Sequence, residues 1–505
     1  MFKNFCLLFF ILINSISIFP QQPLELEPPV IDPIVFANVT LIDVKRGKQQ
    51  RNMTIVVRGN RIAEAERSSH VSVPENARII DARGKFLIPG LWDMHIHAWD
   101  PSVFYPVLLA NGVTGIRNMG GDAKSLAGMR GQIETGNRLG PRIFFGGQIL
   151  DGLRRETLPF LFSYVGSADE ARAAVRQLRD NKADFIKVYN ALAPDVYAGL
   201  VEEAKGQNLP VAGHVPISVG VRRASLAGQR SIEHLAGIAV ACATNEDQLA
   251  RQAQELLTEM HQVDHARMKE SGDKAKELQT KTYRISNRLY ELTDNEAFDT
   301  FDQAKCTKLY ELFRRQNTWQ VPTLAVIGGN SWKAETTRMA DERIRYFPEF
   351  IRGMILQNSE KLTPQQFSLE KKRLQTKLQI VRDMDQARVS LLAGSDAPNG
   401  DVYPGFSLHD ELELLVQAGL SRLAALQTAT INPALFFNKL NEFGTVEPGK
   451  LADLVLLDAD PLDDIKNTRR IQAVVANGKL LTREALDKML ADAAAKHQIN
   501  PAAPK

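Results

Sequence analysis

The chain has little cysteine, three residues in 505, and Cys6 lies in the N-terminal leader. That leaves one possible pair, Cys242 with Cys306. The expectation is two free, buried thiols, pairing after export being the alternative, since sequence separation says nothing about geometry. An excess of one charge sign is also missing. Lys and Arg number 62 against 59 Asp and Glu, a net charge of +3, and the signs are interleaved throughout. No basic tract argues for nucleic acid or for an anionic membrane surface. The N-terminal apolar run is too short to be an anchor: it extends from Phe5 to Ile13, is interrupted at Asn14 and ends at Pro20, whereas a bilayer span needs about 20 residues.

What that run offers instead is a signal peptide. Lys3 supplies a positive start, and Ser15-Ile16-Ser17 supplies small residues for cleavage. We expect a signal over 1–20, a Pro-rich linker over 21–33, and export to a periplasm or the extracellular space. At 44% apolar and 24% charged residues, the remainder has the composition of a globular protein large enough for one big domain and a smaller one.

Residues 34–86 read as short strands broken by Gly and Asn turns, and 436–485 read the same way. Between them strands alternate with helices, as in parallel βαβ units. Strands are expected at 112–119, 141–150, 183–189, 210–216, 230–235, 319–326 and 389–396. With the strand ending at His97 they make eight. The pattern predicts an α/β (β/α)8 barrel over 87–435, with both chain ends joined in a small composite β-sandwich and a tail over 486–505 forming a peripheral, fraying helix. Ser167 and Glu170 fit a capping box, and Pro194 opens the next helix. A charged helical insertion at about 245–316 interrupts the alternation. Its His261 and His265 lie four apart on a helix, but Gln262 and Val263 stand where a catalytic zinc motif needs Glu, so they are read as solvated.

Chemistry enters at Leu91-Trp92-Asp93-Met94-His95-Ile96-His97. In a strand, i and i+2 share a face, so His95 and His97 present two nitrogens together, as metal ligands do. Other hydrophilic residues interrupt apolar strands near their ends: Lys187 in Phe185-Ile186-Lys187-Val188-Tyr189, His214 after Val211-Ala212-Gly213, His234 after Ser231-Ile232-Glu233, and Asp396 after Leu391-Leu392-Ala393-Gly394-Ser395. Each alone admits a structural reading, as an ion pair, a satisfied core histidine or a helix cap. All six at the same rim of one barrel do not.

This set resembles the amidohydrolase superfamily, specifically its imidazolonepropionase-like and Xaa-Pro dipeptidase-like branch. The resemblance extends to Leu87-Ile88-Pro89-Gly90, Ala429-Thr430-Ile431-Asn432-Pro433 and Gly444-Thr445-Val446-Glu447-Pro448-Gly449-Lys450. It implies two divalent metal ions, with zinc suited to the ligand types and manganese, cobalt and iron also compatible. His95, His97 and Asp396 would hold one ion, His214 and His234 the other, and Lys187, carboxylated by carbon dioxide, would bridge them. The implied reaction is attack of a metal-activated water on an amide or peptide C–N bond of a small substrate, a dipeptide or N-acyl amino acid, with Asp396 as general base. Lactone, carbamate or organophosphate hydrolysis on the same site is the alternative, and a non-catalytic oligomeric scaffold a more distant one.

Beyond a small-molecule substrate, the expected partners are a possible second copy of the chain, no nucleic acid and no membrane after signal removal. Tyr189 either donates a hydrogen bond to substrate or packs structurally. Arg154 and Arg155 either bind a substrate carboxylate or stay solvated. The chain departs from the dipeptidase pattern at Asn118, Gln148 and Tyr189-Asn190-Ala191, positions expected to shape the substrate pocket.

Overall fold

The computed structural model describes residues 32–154, 160–332, 341–347, 352 and 363–496. The expected signal peptide, nearly all of the linker, Arg155 and the last nine residues of the tail lie outside the described residues.

Strands β1 (Ile34–Asp43), β2 (Lys48–Arg58), β3 (Arg61–Arg67), β4 (Arg78–Asp81) and β5 (Phe86–Pro89) come from the N-terminal part of the chain. Three more, β15 (Leu454–Leu457), β16 (Ile471–Ala476) and β17 (Lys479–Thr482), come from the C-terminal part. All eight form one sheet in the order β17-β16-β15-β5-β1-β2-β3, with β4 beside β1. The two ends meet where β5 runs antiparallel to β15, pairing Phe86 with Leu457 and Pro89 with Leu454. Period-two alternation places Phe36, Ile55, Val57, Leu87, Leu454, Leu456 and Val475 in one buried cluster. At the β2–β3 hairpin Gly59 takes a φ of +56°, a conformation that favours glycine.

The middle of the chain carries parallel strands. β6 (Leu91–Ile96), β7 (Val113–Asn118) and β8 (Arg142–Phe145) form one sheet. β9 (Ile149–Asp151), β10 (Phe162–Tyr164), β11 (Ile186–Val188), β12 (Val211–Gly213), β13 (Ser231–Glu233) and β14 (Trp319–Val321) form another, ordered β10-β9-β11-β12-β13-β14. β6 and β7 are buried along their whole length, as expected for parallel strands with both faces covered. Backbone hydrogen bonds join the two sheets. Asp184 N–H donates to the Phe145 carbonyl at 2.9 Å, linking β8 to the approach to β11. On the other side, the extended segment 391–396 donates from Leu392 to Gln320 O at 2.9 Å and from Asp396 to His95 O at 2.6 Å.

Several expected strands are shorter than their apolar runs. The run 319–326 leaves the sheet at Val321, because Pro322 has no donor and Thr323 turns to φ +48° before the helix Leu324–Trp332. The run 141–150 splits at Gly146-Gly147, where Gly147 has φ +69°. Segment 389–396 makes isolated bridges and no continuous ladder.

Helix signals fare better. Ser167 accepts from Glu170 N–H at 3.2 Å, and Glu170 reaches back to Gly166 N–H at 2.7 Å, one residue before the cap position of a standard box. The helix Pro194–Gly206 buries Val196, Leu200 and Ala204 as expected.

In the insertion, Glu246–Arg267 packs against Gly272–Tyr290, followed by a π-helical turn over Glu291–Glu296. The helix Gln303–Gln316 then folds back onto Ile238–Cys242. That packing corrects the expectation of free thiols: Cys242 and Cys306, both fully buried, form a disulfide. The tail also differs from the expected frayed helix. Arg483–Ala495 docks on Phe104–Ala110, because Leu486, Ala493 and Ala494 fall on one face and are buried. Among the described residues no helix is long and apolar enough to cross a membrane.

Candidate metal centre

His95 is the second-last residue of the fully buried strand β6, which ends at Ile96, and His97 follows just beyond it. Asp396 meets them from segment 391–396, with its own φ at +63°. Its Oδ1 lies 3.2 Å from His95 Nε2 and 3.3 Å from His97 Nε2. One donor atom from each of the three lies within 4.8 Å of the others. Asn399 Nδ2 donates to the second carboxylate oxygen at 2.8 Å, which holds the group in place.

His234 and His214 stand beside this trio. The His234 ring centroid is 4.6 Å from that of His95 and 4.6 Å from that of His214. Each ring is fixed through Nδ1: His214 contacts Asn190 Oδ1 at 2.8 Å, and His234 contacts Thr323 Oγ1 at 2.6 Å. The Thr323 hydroxyl also lies 2.8 Å from the Pro322 carbonyl, so a proton on His234 Nδ1 would satisfy both contacts and turn Nε2 toward the site. Lys187 is 1% exposed, and among the described residues its amine has no ion pair within 4.0 Å. Gly213 makes room for it: a Cβ there would stand 3.0 Å from Lys187 Cδ and 2.3 Å from the Val188 carbonyl oxygen.

Burial sets the charge states. It pushes His234 down to about 3, lowers His214 well below the usual imidazole range, and brings Lys187 down to about 8 against the pull of Glu233 and Asp396. Burial by itself would raise the Asp396 carboxyl. The imidazoles of His95 and His234 outweigh it and hold Asp396 well below the usual carboxylate range. Burial thus disfavours the charged forms of His97, His214 and His234 beside a carboxylate that stays anionic, as ligands of a divalent cation must be.

A second observation tests whether a cation fits. His95 Nδ1 contacts Glu233 Oε2 at 2.8 Å, while its buried Nε2 has no hydrogen-bond partner although Asp396 Oδ1 stands 3.2 Å away. A buried ring nitrogen without a partner beside a carboxylate oxygen is a position that a cation between the two would satisfy. The residues present therefore fit a divalent ion.

All six expected metal residues lie in this region. Tyr189 packs its ring 4.1 Å from His214 and edge-on to Phe162 at 5.3 Å. Arg154 stacks its guanidinium 3.8 Å over Tyr164. Asn118, expected to shape the pocket, instead spends its amide on backbone, accepting from Ala98 N–H at 2.8 Å and donating to Gly120 O at 3.0 Å. Among the described residues His261 and His265 join no metal-type group.

Sequence reasoning passed over Glu233, Arg117, Asp93 and Thr323, and Asn190, expected to shape the pocket, instead holds the His214 ring. Glu233 and Arg117 carried a usable signal, the same one that singled out Lys187: a charge inside an apolar strand. Asp93 lay inside the opening motif. It accepts from the backbone of His95 and Ser395 at 3.1 and 2.9 Å, tying the two ligand-bearing segments together.

Fold and site together define a mixed α/β protein with a buried His-His-Asp group of metal-binding type where parallel strands end. The model of the amidohydrolase family matches residues 86–481, and the chain belongs to that family of hydrolases, which are generally metal-dependent. Bottromycin amidohydrolase superposes with a TM-score of 0.70 at 22% identity, covering 93% of this chain and 92% of that one. A Xaa-Pro dipeptidase solved with methionine in its active site gives 0.61 at 21%, covering 89% and 100%. These are likenesses of fold. In sequence, an adenine deaminase of Clostridium botulinum is 29% identical over 107 residues, a stretch covering 21% of this chain and only 17% of that protein.

Proposed function

We propose that this protein is an exported binuclear metal hydrolase that cleaves an amide or peptide C–N bond in a small substrate of dipeptide or N-acyl amino acid type. The observation that carries the reading is the convergence of His95 Nε2, His97 Nε2 and Asp396 Oδ1 in a buried site beside His214, His234 and Lys187. In it His95, His97 and Asp396 hold one ion and His214 and His234 the other, zinc by ligand type. When bound, such ions supply charge that acidifies water and polarises a carbonyl.

The remaining chemistry belongs to the chain. Lys187, its basicity lowered by burial, gives up one proton to become a neutral amine, and its Nζ adds to carbon dioxide; an N–C bond forms, a second proton leaves, and what was a buried cation is an anionic two-oxygen ligand. Asp396 takes a proton from the attacking water and returns it to the leaving nitrogen. Tyr189, packed on His214, faces the substrate.

We read the parallel strands as a (β/α)8 barrel closed through segment 391–396, and the composite sheet as part of a small β-sandwich. The hydrogen bonds at both joints between sheets support closure. The buried disulfide supports export, since such bonds persist in oxidising compartments. The test is a zinc-reconstituted screen over dipeptides, N-acyl amino acids, lactones and organophosphates, with metal analysis of the purified protein. Turnover of either of the first two classes supports the reading. Activity confined to the last two would replace the amide substrate, and a metal-free protein with full activity would reject the mechanism.

A further inference from the structure

Behind His95, on the side away from Asp396, lies a charged cluster that no step above uses. Arg117, Ser231, Glu233 and His95 are all at 0% exposure. Arg117 Nη2 lies 2.9 and 2.8 Å from the two oxygens of Glu233. Its Nη1 donates to Ser231 Oγ at 2.8 Å, and its Nε donates to the Met94 carbonyl at 2.6 Å. Ser231 in turn donates to Glu233 Oε1 at 2.5 Å. His95 Nδ1 completes the set, 2.8 Å from Oε2. Phe185 and Phe436 lie against the guanidinium, with ring centroids at 5.6 and 5.1 Å.

We propose that Glu233, held by Arg117 and Ser231, is a positioning residue that grips His95 through Nδ1 and so aims Nε2 at the cation site. The proposal rests on the metal-dependent reading above. Both oxygens of Glu233 are occupied by donors, so the carboxylate has no direction left for a proton of its own. The hydrogen on the line between Oε2 and the ring must therefore sit on Nδ1, which turns Nε2 toward His97 and Asp396.

Arg117 has a separate part. A buried carboxylate without a counter-charge is costly, and Arg117, ion-paired to Glu233, supplies that charge and fixes where the carboxylate points. The same guanidinium, through Met94 O, grips the strand that carries His95. Carboxylate partners of this kind raise the basicity of a ligand imidazole and fix its direction.

Two measurements test this on the full-length protein. In the first, zinc affinity is measured by competition with a chromophoric chelator for wild type and Glu233→Gln. The glutamine keeps one acceptor oxygen but cannot serve both Arg117 and His95, and we expect affinity to fall by roughly ten- to a hundredfold. Equal affinity in a folded variant overturns the proposal while leaving the metal reading intact. A wild type that binds no zinc overturns both.

The second measurement needs no variant at position 233, where loss of Arg117's counter-charge can cost the fold. Nitrogen-15 spectra of the histidine side chains are recorded on metal-stripped wild type, with the His95 signals assigned by their loss in His95→Asn. A protonated Nδ1, hydrogen-bonded to a carboxylate, is expected. An unprotonated Nδ1 overturns the proposal.

Discussion

Adding one methyl group at Gly394 should damage both stability and the metal site, while the same change on an exposed helix should do the opposite. A Cβ at Gly394 would stand 2.7 Å from His95 Cβ and from Val321 Cγ1, and 2.8 Å from the backbone nitrogen of His95. Carbon atoms in contact prefer about 3.5–4.0 Å, so something must move by roughly 1 Å. Backbone cannot swing aside as a side chain can. The two segments are also stitched together there, by Met94 N–H to Ala393 O at 2.9 Å and Asp396 N–H to His95 O at 2.6 Å. Relief of the clash must therefore pull His95 away from Asp396.

Overpacking of this kind costs about 1–3 kcal/mol, and a 1 Å misplacement at a reacting centre costs about a hundredfold in rate. Gly128 and Gly131 lie in the helix Ala123–Glu134, with nothing within 4 Å of a Cβ. Alanine there should stabilise by about 0.5–1 kcal/mol each, by relieving glycine's entropy cost in a helix. Urea-unfolding midpoints of the three variants, with zinc content and turnover of Gly394→Ala, check the contrast. A Gly394→Ala protein with the midpoint and zinc content of wild type would refute the close apposition of these two segments.

Other expectations follow from single groups. Asp396→Asn should abolish turnover while leaving the far-ultraviolet circular dichroism spectrum nearly unchanged; activity within a few-fold of wild type would remove Asp396 as the base. Replacing Cys242 and Cys306 together by Ala opens a loop of sequence separation 64, worth about 4 kcal/mol in the chain-entropy account. A clear fall in the unfolding midpoint is expected, and an unchanged one would mean that the bridge constrains nothing.

Glu411 supplies a pH test. Burial raises its carboxyl from 4.5 to about 8. Between those values the folded protein keeps a proton that the unfolded chain releases, so stability falls as pH rises through about 4.5 to 8 and then levels. Glu411→Gln retains an acceptor for Ala325 N–H, which Glu411 bonds at 2.8 Å. Wild type and variant should unfold together near pH 5, with the variant the more stable at pH 8. Parallel pH profiles would sink the assignment.

Local signals carried far in this chain because they act over short distances. The two-residue spacing of His95 and His97 is a property of one strand. Lys187, His214, His234 and Asp396 stood out because a polar group in an apolar strand is expensive unless something compensates it. Helix starts at Ser167 and Pro194 were legible for the same local reason. Strand ends were less so: an apolar run continues into a helix or a turn without change of composition, as at Val321, and only the missing donor of Pro322 and the turn at Thr323 end the ladder.

The sequence by itself determined which residue types could form a metal site, their order along the chain and the family to which it belongs. Tertiary structure alone decided what touches what. It paired Cys242 with Cys306 across 64 positions, and it placed Glu233, 138 residues from His95, against the back of that imidazole. It also turned Asn118 from the pocket to the backbone of the loop after His97. The physical reason is the same in each case. Packing joins groups through space, and the proton on a buried imidazole is settled by the atom opposite it, which the neighbouring residues in sequence do not supply.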